Sequence, residues 1–133
     1  PEGIAGALTG LTQTTTRDDL LRAITTSAFY RIADIFDQLE RAIGRAEDVI
    51  VSGGIRNSRA SPAILADALG RDIRVSSKPE SSLRGAAISA LEKLGATVTP
   101  LPPGRMVRHN AALAEQHQVR RSRQTALGEL FAR

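Results

Sequence analysis

The sequence predicts an α/β fold, a short parallel sheet covered by packed helices. Three observations carry this. The run 49–51, Val-Ile-Val, is β-branched throughout with no polar alternation, as expected of a strand covered on both faces. Residues 73–75 form a second short strand, and the helix-period segment between the two completes a strand, helix, strand unit whose strands should be parallel with a right-handed crossover. Before both, residues 17–43 place Leu20, Ile24, Ala28, Ile32, Ile35, Phe36, Leu39 and Ile43 at three- and four-residue steps, the spacing of one helix face.

The elements follow in order. Thr16 is the expected N-cap of the long first helix, with Asp18 and Asp19 at the positive end of its dipole and Gly44 as its stop. The strand 49–51 ends on Ser52, Gly53 and Gly54. Ser61 as N-cap and Pro62 as first helical residue open a short helix that buries Ile64, Leu65, Ala68 and Leu69 and closes at Gly70. After the second strand, a helix over 80–94 should bury Leu83, Ala86, Ala87, Ala90, Leu91 and Leu94, with Gly95 ending it. Residues 97–104 hold three prolines and a glycine and read as an irregular connection. From about Asn110 a final helix of weaker apolar spacing follows. Two strands make a poor sheet, so the strand edge and the apolar face of the long helix should be covered by the rest of a longer polypeptide or by a second copy in a homo-oligomer.

Composition narrows the class. The 133 residues are 41% hydrophobic, which suits one globular domain, and contain no cysteine, which excludes a disulfide framework and a thiolate metal site. Long apolar runs and a basic start followed by an apolar stretch are both lacking, so a cytoplasmic protein without membrane contact is expected. The net charge is +4, and all of the excess lies in the tail, where six arginines from Arg105 to Arg133 face only Glu115 and Glu129. Nucleic-acid binding through Arg120, Arg121 and Arg123 is disfavoured, because aromatic residues for base stacking are only 3% of the chain and a solvated helix face accounts for the charge. His109 and His117 lack further ligands at suitable spacing, so no metal site is expected.

The glycine pair is the first candidate site. Where a buried parallel strand ends beside a helix, backbone can approach a ligand closely only if side chains are absent. Gly53 and Gly54 meet that condition, and a tight turn that binds nothing meets it equally. Neither the dinucleotide fingerprint nor the P-loop pattern occurs.

The run "VIVSGGIRNSRASPAILADALGRDIRV" followed by "ESSLRGAAISALEKLG" resembles the C-terminal domain of FGGY-family carbohydrate kinases. Gly53, Gly54, Ser58, Ala66, Asp67, Gly70, Glu80, Ser82, Gly85, Ala86 and Ala87 carry the likeness. The stretch "GALTGLTQTTTRDDLLRAI" is similar to a second block of the family, through Gly6, Leu8, Gly10, Leu11, Asp19, Leu20, Ala23 and Ile24. The resemblance implies part of an actin-like, ribonuclease-H-like ATPase domain over 1–95, followed by a proline-containing connection and basic helix over 96–133. It implies transfer of the ATP γ-phosphate to a sugar or polyol hydroxyl, with ATP and Mg as cofactors. By the same resemblance the Gly-Gly turn lies against adenosine and α-phosphate, which makes Gly53, Gly54, Asn57 and Ser58 the nucleotide-binding candidates. Arg56 would face a phosphate or solvent, and Gly85, Ala86 and Ala87 would let a helix pack beside the cleft.

The same family places its catalytic aspartate, its "DxGT"-like phosphate loop and most of its sugar site N-terminal to the matched stretch, and none of those motifs occurs in this sequence. Asp18, Asp19, Asp34, Asp37, Asp48, Asp67 and Asp72 read as caps, surface charges or strand flanks, so no catalytic residue is assigned and the chain alone should be inactive. Thr25, Thr26, Ser27 and Ala63 depart from the family pattern near the expected cleft. Those departures leave open an alternative, a non-catalytic interaction or regulatory module derived from such a kinase.

Overall fold

The computed structural model describes residues 6–99, 102 and 104–131. The first five residues of the expected 1–95 part and positions 100, 101 and 103 of the expected connection lie outside the described residues. Helix α1 (Arg17–Ile43) opens on a full capping box. The Asp19 amide donates to the Thr16 hydroxyl at 3.2 Å and the Thr16 amide donates to the Asp19 carboxylate at 3.0 Å, an arrangement that contributes about 1 kcal/mol. Gly44 ends it at φ 93°, its N–H donating to the Glu40 carbonyl.

The face that α1 buries is not the predicted stripe. Thr26, Phe29, Tyr30 and Ala33 are buried, whereas Ile24, Ile32, Ile35, Leu39 and Ile43 are exposed. Two apolar stripes run along this helix, and periodicity cannot say which one meets a neighbour. The packed stripe carries the aromatic rings that fill the core and lies beside Asp34 and Asp37, which bind the last helix.

Strand β1 (Ile50–Val51) pairs in parallel with β2 (Ile73–Val75), with Ile50 opposite Arg74 and Val51 opposite Val75. Between them runs α2 (Ser61–Leu69), which buries Pro62, Leu65, Ala66, Asp67 and Ala68. Ile64 and Leu69, expected in the core, are half-buried against it. Ser61 is the first helical residue and Ala60 the N-cap; with no capping side chain at Ala60, the Ser58 hydroxyl accepts the Ser61 amide at 3.1 Å. Gly70, left-handed at φ 63°, closes the helix: its N–H donates to Asp67 and the Arg71 N–H to the Ala66 carbonyl. Arg71 then bonds Glu40 at 2.6 Å and the Ala46 carbonyl at 2.7 Å, fastening the end of α2 to the end of α1.

The sheet is mixed. A third strand, β3 (Arg105–Val107), to which the sequence assigned no element, follows the irregular 97–104 stretch and pairs antiparallel to β2, giving the order β1-β2-β3. Gly104 makes this pairing feasible, because a Cβ there would fall on the carbonyl group of Val75. The central strand contributes fully buried Ile73, but Ile50 on the edge strand β1 is 63% exposed, so β1 is covered on one face only. Phe29, Tyr30, Leu65, Ala66, Ala68 and Ile73 form the core, with Val51, Ile55 and Val107 packed against it.

Helix α3 (Ser81–Lys93) runs nearly the predicted length but buries nothing. Leu83 and Leu94 are 70% and 83% exposed, and Ala86, Ala87, Ala90 and Leu91 are exposed too. No described element lies over this face, so the amphipathic pattern has no partner to meet here.

Helix α4 (Ala111–Phe131) packs on α2 and α1. Asn110 caps it by accepting the Ala112 and Leu113 amides, while its own amide donates to buried Asp67 at 2.7 Å. The Tyr30 hydroxyl meets His117 Nδ1 at 2.8 Å, and Arg121 bonds Asp34 and Asp37, each at 2.6 Å. Arg121 is therefore not part of a solvated basic face; its side chain is only 18% exposed and locks two helices together.

Candidate functional site

Parallel pairing puts the carboxyl ends of β1 and β2 at the same edge of the sheet, where the Ser76 amide donates to the Val51 carbonyl at 2.9 Å. The chain leaving β1 passes through extended Ser52 into a 3₁₀ turn, Gly53–Asn57. Gly53 takes φ 79°, a left-handed value that glycine adopts without strain. Added Cβ atoms at Gly53 and Gly54 would meet nothing within 4 Å, so the pair presents bare backbone to open space. Ile55, in the same turn, packs against the core and roots it.

Ser58 and Asn57 sit at the end of the turn with different constraints. The Ser58 hydroxyl oxygen accepts both the Ser61 amide at 3.1 Å and the Ser61 hydroxyl at 2.8 Å. Its lone pairs are thus engaged, and its own hydrogen remains to donate to an acceptor. Asn57 is exposed. Arg56 is half-buried, and its Nη2 donates to the Ser77 carbonyl at 3.1 Å across the edge of the sheet. One residue beyond Ser77 begins a cleft of about 270 Å³ lined by Lys78, Pro79, Glu80, Leu83, Arg84 and Ala87. Ala87 reaches this cleft from α3; Gly85 and Ala86 are exposed.

Six of the seven aspartates are occupied elsewhere. Asp19 closes the cap of α1, and its hydrogen bonds from Thr16 hold its carboxyl below the usual range. Asp72 accepts from the His109 side chain at 2.8 Å and backbone at 3.0 Å, which lowers it likewise. Asp48 pairs with Arg74, Asp34 and Asp37 with Arg121, and Asp67 with the Asn110 amide. A general base needs a free carboxylate with a pKa raised toward the working pH, and these are bonded or depressed. The contacts of Asp67, Asp72 and Arg121 join residues 37 to 87 positions apart, so nothing local in the sequence announced them.

Among the described residues no three metal-ligating side chains stand together, and no helix is long and apolar enough to cross a membrane. Thr26, one of the departures from the family pattern, is buried in the packed face of α1 with its hydroxyl donating to the Arg22 carbonyl at 2.7 Å.

Comparison with known proteins agrees with this architecture. Residues 1–93 match the model of the C-terminal domain of the FGGY family of carbohydrate kinases. Glycerol kinase 1 of Thermotoga maritima is 33% identical over 94 residues, which are 70% of this chain and 19% of that protein. Among solved structures, xylulose kinase from Rhodospirillum rubrum superposes with a TM-score of 0.81 at 23% identity, over 100% of this chain and 29% of that one. Xylulose kinase from Brucella ovis gives 0.76 at 22% identity, over 92% of this chain and 27% of that one. The strand, glycine turn and helix at the sheet edge thus stand within an actin-like ATPase fold, and the chain belongs to the FGGY family of carbohydrate kinases, of which it carries the C-terminal domain.

Proposed function

We propose that this domain holds the adenine nucleotide of an ATP-dependent carbohydrate kinase that transfers the γ-phosphate to a sugar or polyol hydroxyl. The observation that supports this is the open glycine pair at the carboxyl ends of two parallel strands, where α/β sheets take ligands. In this reading Gly53 and Gly54 admit the adenosine and α-phosphate against bare backbone. Asn57 offers an amide to a purine edge or ribose, and Ser58 donates its one remaining hydroxyl hydrogen to a ligand oxygen or ring nitrogen. These groups suit a nucleotide and not a metal, so Mg²⁺ belongs here only with the phosphates, whose charge it would neutralise. Residues 1–95 form the nucleotide-binding part, and 96–133 brace it through α4.

The chain spans 19% of its glycerol kinase relative and less than a third of the two xylulose kinases. Phosphoryl transfer also needs a group that takes the acceptor's proton, which the paired aspartates above do not offer. The isolated chain is therefore expected to bind nucleotide without turning it over, in the cytoplasm. The sugar would be bound by the N-terminal part of a complete kinase, and that part or a second copy would cover the exposed stripe of α1. Burial and satisfaction of Thr26 give that departure a packing role, so it does not favour a regulatory module over a kinase.

Titration calorimetry with ADP and Mg²⁺ tests the reading. Binding is expected, and Gly54→Val should remove it while leaving the fold intact, because the valine side chain enters space that only a ligand fills. Wild-type protein that fails to bind, or binding indifferent to Gly54→Val, would refute it.

A further inference from the structure

The loops that leave β1 and β2 start side by side, yet between residues 53–57 and 76–80 the structure shows, among the described residues, a single hydrogen bond: Arg56 Nη2 to the Ser77 carbonyl, 3.1 Å. The loop bearing that carbonyl is braced from within, where the Ser76 hydroxyl accepts the Lys78 amide and donates to the Lys78 carbonyl, both at 3.3 Å. The turn is braced from its other side, since Ile55 enters the core and Ser58 caps α2. The core-rooted turn and the loop after β2 are therefore joined by one charged donor. The bond engages one of the five guanidinium N–H donors and turns the side chain across the opening toward the loop after β2.

We propose that Arg56 is a positioning residue for the nucleotide, strapping the Gly53–Asn57 turn to the loop after β2 and so fixing the width of the opening between them. This rests on the nucleotide reading above. Loss of one charge-assisted bond should weaken nucleotide binding about three- to tenfold. A strap acts on the shape of the whole opening, so Arg56→Ala should lower affinity for adenosine and for ADP by the same factor. A direct phosphate contact would spare adenosine. Arg56→Met, which keeps the length but not the donor, should behave like Arg56→Ala, and Arg56→Lys should recover part of the loss.

The experiment measures adenosine and ADP affinities of the wild type and these variants, with Gly54→Val alongside. Amide hydrogen exchange of residues 53–57 and 76–80 is followed without ligand, where Arg56→Ala should accelerate both segments. Equal losses for the two ligands with faster exchange support the strap. Loss for ADP alone, or unchanged exchange, overturns it while the nucleotide reading stands if Gly54→Val still abolishes binding. A wild type that binds neither ligand overturns both.

Discussion

Among the described residues Gly104 is the glycine whose added Cβ would strike neighbouring backbone, and Gly104→Ala should be markedly destabilising. The new methyl group would fall on the carbonyl oxygen and carbon of Val75 and on the Ser76 nitrogen, all backbone atoms. No side chain can swing aside. The neighbouring strand can give way only by disturbing β2, which is held by β1 on one edge and β3 on the other. Forcing a methyl group into a packed site costs about 1–3 kcal/mol, and a lost ladder hydrogen bond adds roughly 1 kcal/mol. A total of about 3 kcal/mol corresponds to a fall in melting temperature on the order of 10 °C for a domain of this size. Thermal melts by circular dichroism, at matched concentration, measure it. Gly54→Ala is the control, since its added methyl meets nothing within 4 Å and should change stability by no more than about 0.5 kcal/mol. If Gly104→Ala melted within about 2 °C of the wild type, the close crossing of residue 104 over the end of β2 would be wrong. The consequence reaches the site, because the clash involves Ser76, next to the carbonyl that Arg56 grips.

Two further outcomes are expected. Burial holds His117 below its ordinary pKa, with Asp67 opposing and Arg120 reinforcing the shift. The unfolded chain therefore takes up the proton first, so the contribution is fully present above pH 6.5 and is lost as pH falls from there toward the folded pKa. His117→Asn should flatten the urea-measured stability between pH 6.5 and about 5, above the range in which Asp19, Glu40 and Asp72 titrate; an unchanged slope would contradict the assignment. Arg121→Ala should destabilise by about 1–3 kcal/mol, because it strands the half-buried Asp34 carboxylate, whereas Arg120→Ala and Arg123→Ala should stay within about 0.5 kcal/mol. Equal effects at the three arginines, read from urea midpoints, would show that α4 is not held by the Arg121 clamp.

What the sequence disclosed was what a few adjacent residues decide. Thr16 with Asp19, Gly44, and Gly70 each act within one helical turn, so the ends of α1 and the end of α2 were readable. The β-α-β unit was readable because Val49-Ile50-Val51 and the pair Ile73 and Val75 flank a helix with Pro62 in its first turn. The packed face of α1 was not, because Phe29, Tyr30 and Ala33 become the inner stripe only once α2 and α4 arrive. Strand β3 was hidden by its three residues, too short for any period, with Gly104 directly before Arg105 as its one local mark. In the site, the glycine turn stood out by composition. The Ser58 cap depended on where α2 begins, and the Arg56 bond to Ser77 depends on β1 and β2 being neighbours.

The two sides of the sheet edge are supported unequally, and this bears on how a nucleotide would be held. On the β1 side Ile55 is packed in the core, Ser58 caps a helix whose inner face is buried, and Gly53 is already left-handed. That side is preformed, so a ligand there need not supply the ordering free energy of the turn. On the β2 side the chain leads into α3, whose Leu83, Leu91 and Leu94 are exposed. Full burial of a leucine is worth about 1.5–3 kcal/mol, and α3 collects little of it, which places this helix at the low end of local stability. The loop from Ser76 to Glu80 therefore cannot borrow its position from α3. It takes its position from the sheet through Ser76, from its own serine turn, and from Arg56, which ties the weakly supported side of the opening to the rigid one.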